Sequence, residues 1–204
     1  VSLFESDIPM SAADGRAIVA DRQGGVMLSQ RYPTIVEIDG VLADVPHDGY
    51  LPALEAAFAD PAVMNTLGGV RGPEAARSFI ARARAHWRDV GYGLWFLRDM
   101  RDGDFAGWAG LRRCEAAGER TVELAYALMP KLRCKGHATR IGKAALTLGF
   151  ENLGLPEIVA FTTPANVHSL AVIDRLAFAY DKPFEHAGSP HVLYRRTAAM
   201  HAGG

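Results

Sequence analysis

Apolar and polar positions alternate in two short runs near the start of the chain, Ile35-Val36-Glu37-Ile38 and Val41-Leu42-Ala43-Asp44-Val45, with Asp39-Gly40 between them. Asp-Gly supplies the positive φ angles of a type I′ turn, so the stretch predicts a hairpin. Upstream, Arg16 to Asp21 and Val26 to Arg31 flank Gly24-Gly25 and predict another hairpin, outside the main domain. The period then lengthens. Asp48 reads as the N-cap of a helix near Tyr50 to Phe58. From Pro73 to Val90, the residues Ala76, Phe79, Ile80, Ala83 and Trp87 recur at helical spacing. They form an amphipathic stripe that Pro73 opens and Gly91 stops.

The next runs are strands: Gly93 to Arg98, Phe105 to Arg113 and Thr121 to Leu128, joined by turns at Arg101-Asp102-Gly103 and around Ala116-Ala117-Gly118. Short turns make this an antiparallel meander. Beyond it the pattern alternates: a helix over about His137 to Asn152, a strand over Ile158 to Thr162, a helix over Asn166 to Leu176, and closing strands at Phe178 to Phe184 and His191 to Arg195. Strand–helix–strand implies one parallel crossover. The expected fold is α/β, with a mixed, mainly antiparallel sheet and flanking helices.

Composition narrows the classes. The chain has 204 residues, 49% hydrophobic and 22% charged, with a formal net charge of -1. That predicts one globular domain, at 32–197, with an extension at 1–31 and a flexible C-terminal tail at 198–204. The near-neutral charge gives no basic excess for nucleic acid, so any phosphate binding has to be local. The two cysteines, Cys114 and Cys134, make no disulfide framework or CxxC motif. Cys114 reads as strand packing. No apolar run reaches the roughly 18 residues of a membrane helix. Val1 to Met10 carries Glu5 and Asp7 and no basic leader region. A reducing, cytoplasmic setting is expected. His186 and His191 lack metal-ligand spacing, and no metal is expected.

The candidate chemistry lies in Arg133-Cys134-Lys135-Gly136-His137-Ala138, which follows Pro130 and opens a helix. The first amides of a helix lack internal partners, and the helix dipole adds partial positive charge there. Gly136 removes a side chain that would keep backbone from phosphate. A plain solvated helix start with two surface cations is the alternative on the loop alone. Gly136 and Gly142-Lys143 do not make a nucleotide P-loop: five residues intervene rather than four, and Ala144 replaces the hydroxyl that would hold Mg²⁺. GxGxxG is absent, which removes the dinucleotide fingerprint.

The stretch Glu123 to Thr139, with Arg133-x-x-Gly136-x-Ala138 inside it, resembles the acetyl-CoA signature of the GNAT superfamily, Arg/Gln-x-x-Gly-x-Gly/Ala. Downstream, Asn166-Val-His-Ser169 and Leu176-Ala-Phe178 resemble the Asn-x-x-Ser…Leu-Gly-Phe segment of its ribosomal-protein N-acetyltransferase-like branch, and Pro61-Ala62-Val63-Met64 resembles that branch's Pro-x-Val-Met stretch. The resemblance spans about Thr34 to Arg196.

What the resemblance implies is a splayed central strand pair with pantetheine between the strands. Leu128 and Met129 would offer backbone groups to pantetheine or to the developing oxyanion. Arg133, Cys134, Lys135, Gly136, His137, Ala138 and Thr139 would surround the pyrophosphate, and Asn166 and Ser169 would hold the pantetheine arm. The implied function is acetyl-CoA-dependent transfer of an acetyl group to a primary amine, on a protein N-terminus or a small molecule, by direct attack. The alternative is a non-catalytic acyl-CoA-binding sensor or interaction module on the same scaffold.

Glu123 is the first candidate base, against a structural ion pair. The superfamily's usual tyrosine acid falls at Ile173, leaving Tyr126, His168, Ser169 or solvent to protonate the thiolate. His137 reads as flanking phosphate. Trp95 and Phe96 must face opposite sides of their strand, with core the favoured place and the acceptor cleft the other for one of them or Trp108. The acceptor cleft is expected near Asp60 to Arg71 and His186 to His191. A monomer or a homodimer is expected, with no membrane partner. The branch's Leu-Arg-Pro in its first strand is Leu42-Ala43-Asp44 here, a departure that bears on the acceptor.

Overall fold

The computed structural model describes residues 19–20, 26–27, 32–65 and 67–203. Strands β1 (Val19–Ala20) and β2 (Val26–Met27) pair antiparallel, within the hairpin expected upstream. The rest of that hairpin lies outside the described residues. The main domain runs β3 (Ile35–Ile38), β4 (Val41–Asp44), α1 (Leu51–Ala59), α2 (Pro61–Met64), α3 (Pro73–Val90), β5 (Leu94–Asp99), β6 (Phe105–Ala116) and β7 (Glu119–Leu128). It continues α4 (His137–Thr147), β8 (Glu157–Thr162), α5 (Val167–Arg175), β9 (Ala179–His186), β10 (Ser189–Thr197) and α6 (Ala198–Ala202).

Local chemistry explains most of these bounds. Asp39 and Gly40 have φ of 52° and 72°, the left-handed pair of the tight turn. The α3 stripe is buried as expected, and Gly91 ends the helix at φ 78°. Asp48 does not cap α1. It opens a 3₁₀ turn, Asp48–Tyr50, that His47 caps by accepting from the Gly49 amide, and α1 starts only at Leu51. The imidazole nitrogen takes the orphan amide, so the carboxylate is free to pair with Arg84 at 2.6 Å. The expected tail also begins differently. Thr197 caps the short α6, and His201 stacks on Phe150.

Eight strands in the order β3-β4-β5-β6-β7-β8-β10-β9 form the main sheet among the described residues. All neighbours are antiparallel except β7 and β8, which α4 joins as the parallel crossover. One face carries Trp95, Leu97, Leu111 and Leu124 against Ile141, Ala145 and Ile173 of α4 and α5. The other carries Phe96 and Trp108 against Leu54, Phe58, Phe79 and Ile80 of α1 and α3. Trp95, Phe96 and Trp108 are all fully buried, so none of them is left to line a cleft.

The β7–β8 pair positions the site. Its register has a single partner pair, Glu123↔Val159, and beyond it the strands diverge toward Leu128 and Thr162. The closed end is stapled. Arg195 of β10 reaches Glu119 at the start of β7, Glu157 at the start of β8 and Asp181 of β9, at 2.6, 2.6 and 2.7 Å. Three carboxylates that would repel are drawn to one planar fork.

Candidate active site

Three structural features meet where β7 and β8 part. The first is a cleft of about 700 Å³ between the end of β7, the loop before α4, and α5. The second is the loop itself. After a 3₁₀ turn at Pro130–Leu132, Cys134 takes φ 60° and Gly136 φ 82°, which turns the chain sharply into α4. No side chain caps α4, and its first internal bond is Arg140 N–H to Gly136 carbonyl. The amides of His137, Ala138 and Thr139 therefore lack helical acceptors, and all three residues line the cleft. An elongated ligand with a phosphate at that end fits this arrangement.

The third feature is a small void of about 20 Å³ at the vertex, room for about one water. Its lining takes Glu123 and Phe161 from the α1–α3 face of the sheet and Tyr126, Ala160, Ser169 and Ile173 from the α4–α5 side. The gap thus joins the two faces. The three candidate catalytic residues, Glu123, Tyr126 and Ser169, come together here.

Each has a defined partner. Glu123 is 1% exposed; its Oε2 accepts a hydrogen bond from Arg112 Nε at 2.8 Å and lies 2.7 Å from Arg112 Nη2 as an ion pair. Tyr126 places its hydroxyl 2.9 Å from Ser169 Oγ and 3.3 Å from the Ser169 carbonyl. Burial pushes the Tyr126 phenol up to about 12, with the Ser169 bond offsetting part of the shift, so it is a proton donor at neutral pH. Ile173 is buried at the same vertex. Tyr126 of β7 brings a hydroxyl to the void that Ile173 of α5 lines.

The cofactor candidates divide by what they already do. Met129 donates its amide to the Ala106 carbonyl. Alternation along β7 then turns the polar groups of Leu128 and Tyr126 toward the open gap. The Leu128 carbonyl accepts from Arg133 Nε at 2.9 Å, which leaves the Leu128 N–H facing the gap. Asn166 uses its Oδ1 to cap α5, accepting from the Ser169 amide at 3.2 Å, so its carboxamide nitrogen is the part left for a ligand. Lys135 and Cys134 are exposed on the loop. His137 Nδ1 lies 3.1 Å from Asp39 Oδ2, and Arg140 pairs with the same oxygen. Asp39 sits on the β3–β4 turn, about a hundred residues away in sequence, and no spacing signal connects it to the loop. Val63 and Leu67, inside the Asp60 to Arg71 stretch expected to form the acceptor cleft, line the cleft from the α2 side, whereas His186 and His191 are not among its lining residues.

The Acetyltransferase (GNAT) domain model matches residues 43–179. The chain belongs to the GNAT acetyltransferase family. This family assignment makes it an acetyltransferase, and the splayed β7–β8 pair and the loop before α4 are its GNAT features. Solved GNAT structures share the fold. An acetyltransferase from Bacillus anthracis superposes with a TM-score of 0.66 at 20% identity, covering 81% of this chain and 99% of that one. The ribosomal L7/L12 alpha-N-protein acetyltransferase RimL, solved with coenzyme A, gives 0.68 at 16% identity, covering 81% and 99%. The Microcin C7 self immunity acetyltransferase MccE, solved with acetyl-CoA and AMP, gives 0.66 at 16%, covering 82% and 98%.

Among the described residues no group of three or more His, Cys, Asp or Glu side chains is placed to hold a metal ion. No helix among them is long and apolar enough to cross a membrane.

Proposed function

We propose that this GNAT protein transfers the acetyl group of acetyl-CoA to a primary amine by direct attack, on a protein N-terminus or a small molecule. The observation that carries the reading is the vertex gap, which opens to both sheet faces and collects Tyr126 and Ser169 on one side. RimL and a ribosomal-protein-S5-alanine acetyltransferase from Vibrio fischeri have this fold, and protein N-termini belong in the acceptor screen for that reason.

Acetyl-CoA supplies an activated thioester with a weakly basic leaving group. The residues of the chain do the rest. The uncapped amides of His137, Ala138 and Thr139 hold the pyrophosphate, with Lys135 and Cys134 beside it. The Asn166 carboxamide nitrogen meets the pantetheine arm. The Leu128 N–H lies where oxyanion charge develops. Ser169 Oγ, tied to the Tyr126 hydroxyl, donates toward the departing sulfur, and solvent in the cleft returns a proton to the Ser169–Tyr126 pair.

Glu123 is read differently here from its sequence pattern. One of its oxygens already accepts a bond from the Arg112 guanidinium inside a buried ion pair, so we assign it to holding the vertex rather than to taking a proton. The amine's proton then leaves to solvent through the open cleft. The non-catalytic sensor reading was motivated by Ile173, and the Tyr126 hydroxyl at the same vertex weakens it.

Acetyl-CoA titration by calorimetry, followed by thiol release across a panel of amines and N-terminal peptides, tests the proposal. One-to-one binding with amine-dependent release is expected. Absence of binding at millimolar acetyl-CoA would sink it. Binding without release from any amine would restore the sensor.

A further inference from the structure

Arg133 belongs to the loop signature, where its charge suggests a phosphate contact. Its hydrogen bonds go elsewhere. Nε donates to the Leu128 carbonyl and Nη1 to the Ala62 carbonyl, each at 2.9 Å. One acceptor is at the end of β7 and the other is in α2. Leu128 is the last residue of β7, on the side where β8 has splayed away and offers no donor. Ala62 lies in α2, a helix of four residues whose Pro61 carbonyl accepts from the Asn65 amide and whose Met64 carbonyl accepts from the Leu67 and Gly69 amides. One planar guanidinium with fixed donors reaches both carbonyls.

This clip joins two sides of the cleft. Arg133 and Gly136 belong to the cofactor loop, whereas Val63 of α2 lines the side toward the acceptor face. The buried Val63 and Met64 side chains fasten the inner side of α2. It is short, and its N-cap is the exposed Asp60 side chain accepting from the Ala62 amide at 2.8 Å.

We propose that Arg133 is a positioning residue that couples the cofactor loop to α2, so that holding the cofactor steadies the acceptor-side wall. The coupling to cofactor rests on the acetyl-CoA reading above; the clip itself does not. Phosphate neutralisation is then the work of the α4 amides and Lys135, not of Arg133.

Arg133→Lys separates charge from geometry, because an ammonium keeps the charge but cannot span both carbonyls as a fork. Arg133→Gln removes both. The test is hydrogen exchange on the full chain, with and without acetyl-CoA, alongside the salt dependence of acetyl-CoA affinity. Without ligand, both variants should exchange the α2 amides about 3- to 10-fold faster than wild type, the loss expected for exposed bonds to a charged group. With acetyl-CoA, wild type should slow exchange at both the loop and α2, and the variants at the loop alone. Arg133→Gln should keep the wild-type salt slope, since no phosphate contact is lost.

Wild-type α2 exchange in ligand-free Arg133→Lys would overturn the clip. So would a flattened salt slope in Arg133→Gln with wild-type affinity in Arg133→Lys, which is the phosphate-charge outcome. If wild type fails to bind acetyl-CoA, the proposed function falls, while the ligand-free exchange still decides the clip.

Discussion

Replacing Glu123 by Gln tests whether this carboxylate holds the vertex or takes a proton. Glu123 and Arg112 are both nearly inaccessible, and the guanidinium gives one short bond and a close ion pair to one oxygen. Deleting one partner of a buried ion pair costs about 3–5 kcal/mol. Gln retains a neutral acceptor for the Arg112 Nε bond but loses the ion pair, so the expected loss is about 2–3 kcal/mol. A domain of this size shifts by about 2–4 °C per kcal/mol, which predicts a melting temperature lower by about 4–12 °C.

The assay is thermal unfolding by circular dichroism, paired with steady-state kinetics well below the transition. Activity of folded Glu123→Gln should fall modestly, with the shape of its pH profile kept. Arg112→Met combined with Glu123→Leu should recover much of the lost stability, because apolar replacements of a buried pair are often neutral or better. The reasoning is refuted if Glu123→Gln melts within about 1 °C of wild type while kcat drops 100-fold or more, the signature of a lost general base.

Two further outcomes are expected. Cys114 is fully buried and burial pushes its thiol well above the usual range, so only the exposed Cys134 should react with a thiol reagent in the native protein. Acetyl-CoA should slow that reaction in proportion to occupancy, and equal reactivity of both thiols or no protection would contradict the loop placement. His191 is buried with Nδ1 on the Ser189 carbonyl at 2.9 Å, and burial lowers its pKa from the ordinary 6.5. The unfolded chain therefore takes up a proton that the folded state resists. Its share of stability is present above about pH 6.5 and is lost as pH falls below it. Denaturant melts from pH 7 to 5 should show a shallower decline in His191→Gln, and an identical slope would remove this residue from the acid limb.

Much of the frame was legible from local pattern. The Asp39-Gly40 turn, the α3 stripe and the α4 start each rest on interactions within a few residues, where spacing and backbone preference decide the outcome. The motif residues Arg133 to Thr139, Asn166 and Ser169 were named by resemblance to a family motif, and the local devices found among them are an uncapped helix start and an Asn N-cap.

The use of each side chain was not legible in this way. Whether Glu123 is a base or half of an ion pair depends on Arg112 sitting opposite it across β6 and β7 and on the depth of both. Whether Arg133 neutralises phosphate or clips carbonyls depends on where α2 comes to rest, seventy-one residues back along the chain. Tyr126 could stand in for a hydroxyl at Ile173 only once the strands had splayed and α5 had packed beside them. Asp39 reaches His137 and Arg140 because the sheet folds its edge hairpin toward α4. Hydrogen bonds and burial act over a few ångströms of space, whatever the separation in sequence, so chain order could name the candidates and only the packed fold could assign their partners.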